Sequence, residues 1–126
     1  MQVTLDASAL FDLNSAELKD AGRQQLDQLV RDLAGVRYQS IAVTGHTDRL
    51  GPPDLNRRLS TERAEAVKEY LVSAGVDAAA ITATGLSNDR PVTTLAQCPG
   101  ERSPALIACL QPDRRVEVEV IGTRDP

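Results

Sequence analysis

Residues Asn56 to Tyr70 (NRRLSTERAEAVKEY) read as a charged amphipathic helix with an arginine in the middle of its apolar face. With Leu55 at zero and about 100° per residue, Leu59, Ala66, Val67, Tyr70, Leu71 and Ala74 fall in one broad apolar stripe. Arg63 lies at its centre, with Asn56 and Ser60 beside it near the helix start. A guanidinium stays charged in a protein and is costly to bury unpaired. Any fold that packs this stripe on a core must therefore bring an anion to Arg63, from a neighbouring carboxylate or from a ligand.

The 126 residues suffice for one core, so a single domain over 1–126 is expected. That core must come from Leu, Val, Ile and Ala, because Phe11, Tyr38 and Tyr70 are the only aromatic residues. Stacking platforms for bases are nearly absent. A net charge of −4 argues against a nucleic-acid partner, whose affinity rests on phosphate neutralisation. Lys19 and Lys68 are the only lysines among 14 basic residues. The remaining cations are planar forks suited to carboxylate or phosphate, which points to a local arginine site in an acidic protein.

No stretch approaches the ~18 apolar residues of a membrane span, and the first residues lack the pattern of an export signal. As given, the chain reads as soluble, though it could be a domain of a longer exported protein. Cys98 and Cys109 lie in a Pro/Gly-containing loop, CPGERSPALIAC, with no second pair and no nearby His to suggest zinc. A disulfide is favoured over two free thiols. It would add roughly 3 kcal/mol in the chain-entropy view and place the protein in an oxidising compartment. No metal site and no cofactor is expected.

The order of elements reads β-α-β-α-β-loop-β, an α/β (α+β) layout with two main helices on a small mixed four-stranded sheet. Gln2 to Leu10 is expected as a strand, Phe11 to Asn14 as a turn, and Asn14 with Glu17 as a helix cap. Leu18, Ala21, Leu26, Leu29, Val30 and Leu33 then recur at helical spacing until Gly35. Ser40 to Gly45 reads as a buried strand, HTDRLGPPD as a loop, and Asp54 as the cap of the second helix, which ends near Ala74-Gly75. Ile81 to Leu86 is a third strand. The cysteine loop, an insertion over about 87–113, carries a short helix from Pro104 to Leu110. Arg115 to Ile121 alternates as the last strand, with Val116, Val118 and Val120 inward and Glu117 and Glu119 in water.

The run Asn56-x-x-Leu59-Ser60-x-x-Arg63-Ala64-x-x-Val67-x-x-x-Leu71, preceded by Gly45-His46-Thr47-Asp48, resembles the peptidoglycan-binding signature of OmpA-like C-terminal domains, the OmpA/MotB family. The pattern extends from Leu10-Phe11-Asp12-Leu13-Asn14 to Asp113-Arg114-Arg115-Val116. The cysteine pair and the stretch from Leu106 to Val120 look most like the outer membrane protein A branch of Gram-negative bacteria. The departure is Leu50-Gly51-Pro52-Pro53-Asp54, with two prolines in a segment that varies within the family.

The resemblance implies non-covalent binding of peptidoglycan. Asp48 would take the ammonium, and Arg63 the carboxylate, of the free zwitterionic end of meso-diaminopimelate in the stem peptide. The domain would then lie in the periplasm and tether an outer-membrane protein to the wall, below a barrel, a lipid anchor or a transmembrane helix. The competing reading is a direct Asp48–Arg63 salt bridge joining loop to helix. Asn56 is either a positioning amide or a helix-start group. Phe11, Asp12 and Asn14 match family positions near the ligand, although Asp12 and Asn14 could only cap the first helix. Thr47 would offer backbone or hydroxyl contacts. Of Arg114 and Arg115, matched to an Arg-Arg pair, Arg114 is favoured by the parity of the inward valines.

Two other classes compete with a binding module. Gly45-His46-Thr47-Asp48 could supply an acid-base pair for a wall hydrolase, but no nucleophile motif, metal cluster or phosphate loop accompanies it, so no enzyme is expected. A pure dimerisation domain is disfavoured by Glu117 and Glu119, which would discourage pairing along the last strand.

Overall fold

The alternation in RVEVEVI decides the layering of the molecule, because one face of that pattern must be covered. The computed structural model describes residues 1–124, and the last two residues of the expected 1–126 domain lie outside the described residues. In chain order the elements are β1 (Gln2–Asp6), α1 (Ala7–Leu10), α2 (Asp20–Leu33), β2 (Val36–His46), α3 (Pro53–Ser73), β3 (Ile81–Gly85), α4 (Pro104–Cys109) and β4 (Arg115–Arg124). Short 3-10 turns cover Ala78–Ala80 and Gln111–Asp113.

The sheet order is β1-β4-β2-β3. β4 pairs antiparallel with both β1 and β2, placing Val118 between Val3 and Val43. β2 and β3 run parallel, joined through α3. Val116, Val118 and Val120 are buried against Leu26, Leu29 and Leu33 of α2 and Val67 and Leu71 of α3. The expected α+β arrangement of two main helices on a mixed four-stranded sheet is thus the observed one.

Several expected boundaries move, each for a local reason. The first strand stops at Asp6, whose side chain accepts from the Ser8 amide and turns the chain into α1. Asn14 is not a cap: its φ of 55° is left-handed, and α2 begins only at Asp20, with Lys19 before it. β2 is longer than Ser40 to Gly45, since β4 extends to Arg124 and supplies partners back to Val36. Asp54 lies inside the first turn of α3 rather than at its cap, because Pro53 takes the first helical position. Glu117 is half-buried, not in water, and β4 is an inner strand. Edge repulsion along β4 is therefore no argument about dimers. Cys98 and Cys109 are disulfide-bonded, and Cys98 packs with Leu106 and Leu110 in a satellite core.

Gly45 and Gly85 face each other across the β2–β3 ladder. A Cβ at Gly45 would lie 2.2 Å from the Ser60 carbonyl oxygen, and one at Gly85 2.3 Å from the Thr61 amide nitrogen. The backbone of α3 therefore rests directly on the sheet at this pair. The contact sets the distance between Asp48, just beyond Gly45, and Arg63, one turn beyond Ser60.

Candidate functional site

The segment leaving β2 is held by a short chain of hydrogen bonds. The Asp48 Oδ1 accepts from the Leu50 amide at 2.9 Å, and the Leu50 carbonyl accepts from Asn56 Nδ2 at 2.8 Å. Asn56 thus ties the loop to the start of α3. Thr47 donates its amide to the Ser87 carbonyl and its hydroxyl to the Asp48 carbonyl. The second carboxylate oxygen of Asp48 accepts from Arg114 Nη1 at 2.8 Å, and the same nitrogen donates to the Ile107 carbonyl at 3.0 Å.

That pairing stands in place of the direct Asp48–Arg63 salt bridge, the competing reading of the sequence. Among the described residues Arg63 forms no ion pair with a carboxylate. Its Nε donates to the Ser15 carbonyl at 2.8 Å and its Nη2 to the Asp12 carbonyl at 3.1 Å, while the guanidinium stands 5.1 Å from the Phe11 ring centroid. The left-handed Asn14 bends the 11–18 turn so that these carbonyls face inward, which a helix started at Asn14 would prevent. Asp12 directs its own carboxylate outward, 3.6 Å from Lys19. Arg63 is only 8% exposed. Burial first, and then the charge of Arg114, pull its pKa below the usual arginine value. Main-chain dipoles and an aromatic face hold this cation in place without neutralising it.

Arg63 opens onto a cleft of about 540 Å³ that is also lined by Phe11, Asp12, Asn14, Thr47, Asp48, Asn56 and Arg114. Arg115 does not line it. The strand parity sends Arg115 to the opposite face, where Nε bonds Glu117 and Nη2 the Arg90 carbonyl. The sequence reading missed Arg102 and Ile107, which reach the cleft from the disulfide-closed loop, and Leu13, an 88% exposed residue on the rim. The closed loop was visible as a cysteine pair, but the wall it would join was not.

His46 also lies away from the cleft, so the acid-base pair considered for a hydrolase is not assembled. It is buried, neither ring nitrogen has a hydrogen-bond partner among the described residues, and Nε2 is 3.5 Å from Glu117. Burial, and next the Arg115 charge, lower its pKa below 6.5 against the opposing pull of Glu117. Burial raises Glu117, but its bond to Arg115 and the neighbouring positive charges bring it below 4.5 overall. The unfolded chain therefore binds more protons than the folded one as the pH falls through 6.5, and stability falls with it. Between about pH 7 and about pH 5 the wild-type melting temperature should drop, and His46→Gln should flatten that slope in thermal melts. An equal slope in the variant would assign the acid lability elsewhere.

A helix-covered mixed sheet with an arginine-lined cleft where β2 meets α3 defines a small α+β domain of the OmpA-like class. The chain belongs to the OmpA family, which matches residues 10–103. It is 45% identical over 121 residues to outer membrane protein A of Shimwellia blattae, covering 94% of this chain and 50% of that protein. The chain thus spans about half the length of that relative. Among solved structures it is similar to the cell wall anchor of the T6SS from Pseudomonas aeruginosa, with a TM-score of 0.78, 30% identity, and coverage of 96% of this chain and 80% of that one. It is also similar to the peptidoglycan-associated lipoprotein from Burkholderia pseudomallei, with a TM-score of 0.63, 27% identity, and coverage of 93% and 88%.

Proposed function

We propose that the domain binds peptidoglycan non-covalently by gripping the zwitterionic end of meso-diaminopimelate in the stem peptide. The observation that carries this reading is Arg63, a buried guanidinium open to a cleft and without a carboxylate partner among the described residues. A ligand carboxylate would supply the missing anion, bidentate where the fork is free. Asp48 on the same cleft would accept the ligand ammonium, sharing its carboxylate with Arg114 or displacing it. Because that exchange swaps one ion pair for another, affinity per site should be modest. Many copies along a polymer would still hold firmly.

Relatives named as an outer membrane protein, a cell wall anchor and a peptidoglycan-associated lipoprotein support this assignment, as does the disulfide, which suits the periplasm. The domain would act as an anchor rather than an enzyme, tethering an outer-membrane protein to the wall. The test is co-sedimentation with purified Gram-negative sacculi, with and without free meso-diaminopimelate. Pelleting that the free amino acid competes away is the expected result. Protein that stays in the supernatant, or pellets regardless of competitor, would sink the reading.

A further inference from the structure

The cleft has more positive charge than one zwitterion requires. Asp12 is paired with Lys19 and Asp48 with Arg114, which leaves Arg63 and Arg102 as lining cations without a carboxylate among the described residues. Such a surplus is local, since the whole chain carries −4. At about 540 Å³ the cleft also falls in the range that holds ligands larger than a single amino acid.

Arg102 is exposed, and a solvated surface arginine is its simplest role, but the loop that carries it is not loose. The disulfide closes that loop, Arg49 Nη2 donates to the Cys98 carbonyl at 2.6 Å, and Arg114 Nη1 donates to the Ile107 carbonyl at 3.0 Å. Leu50 packs against the Cys98, Leu106 and Leu110 cluster. Arg49 and Leu50 directly follow Asp48, so the loop bearing Arg102 is fastened to the segment that positions Asp48.

We propose that Arg102 forms a second anion subsite, which takes a free carboxylate on the residue adjoining the zwitterion and so makes the domain selective for an acidic peptide. This subsite rests on the zwitterion reading given above. The apolar rim at Leu13 and Ile107 suits the short aliphatic portions of such a peptide.

The test is calorimetric titration of the whole chain with three probes: free meso-diaminopimelate, γ-D-glutamyl-meso-diaminopimelate, whose glutamate keeps its α-carboxylate free, and the α-amide of that dipeptide. The wild type should prefer the acid over the amide by about two- to fivefold, the range of a solvent-exposed ion pair. In Arg102→Gln the ratio should fall to about one. A ratio of one in the wild type, or a preference that survives in Arg102→Gln, would overturn the subsite while leaving diaminopimelate binding standing. Failure of all three probes to bind the wild type would remove the zwitterion reading and the subsite with it.

Discussion

Arg63→Met should abolish sacculus binding while changing folding stability by no more than about 1 kcal/mol in either direction. Truncating one member of a buried charged contact costs about 2–5 kcal/mol of binding, or roughly 30-fold to several thousand-fold. Stability is the more telling half of the result. A buried cation that meets only carbonyls and a ring has already lost its hydration, and a methionine fills similar volume at no such cost. Against this stand two hydrogen bonds to the Asp12 and Ser15 carbonyls, one of them on an exposed residue that water can reach. The comparison to make is chemical denaturation beside co-sedimentation on the same preparations. Lost binding with a large loss of stability would mean that Arg63 holds the 11–18 turn rather than a ligand.

Gly45→Ala should destabilise the fold by about 3 kcal/mol or more. Its Cβ would fall 2.2 Å from a helix carbonyl, an atom that cannot turn aside as a side chain can. The helix must lift or the ladder must part. For a domain of this size the melting temperature should fall by about 10 °C or more. Gly85→Ala should act similarly through Thr61 and the Ser60 hydroxyl, which lies 2.6 Å from the added atom. An alanine variant that melts like wild type would show that α3 is free to shift, and that the Asp48-to-Arg63 spacing is not fixed by this contact.

The legible parts of the sequence were those set by periodicity or by a single stereochemical rule. The inward valines of β4, the stop of α3 near Ala74-Gly75 and the choice of Arg114 over Arg115 as the arginine on the cleft side all follow from alternation, chain reversal and parity. The helix pattern also placed Leu59, Val67 and Leu71 in the core, although Ala74 proved exposed and Ala64 buried. What the sequence hid were partners distant in the chain. Arg63 meets Ser15, 48 residues away, and Asp48 meets Arg114, 66 residues away. No local pattern distinguishes those pairings from the direct Asp48–Arg63 bridge. Asn14 and Glu17 make a plausible cap locally, but Asn14 is left-handed and α2 starts only at Asp20, while the Asp12 and Ser15 carbonyls of the turn accept from Arg63.

The placement of β1 also has a mechanical consequence. Residues Ala7, Ser8 and Phe11, which follow β1, line the cleft, whereas Met1 lies at the far end of that strand beside Val120. A force applied between Met1 and a molecule held in the cleft runs along the strand axis. The hydrogen bonds of an antiparallel ladder lie across that axis, so the pairs from Gln2–Glu119 to Asp6–Arg115 bear the force together, in shear, instead of opening one after another.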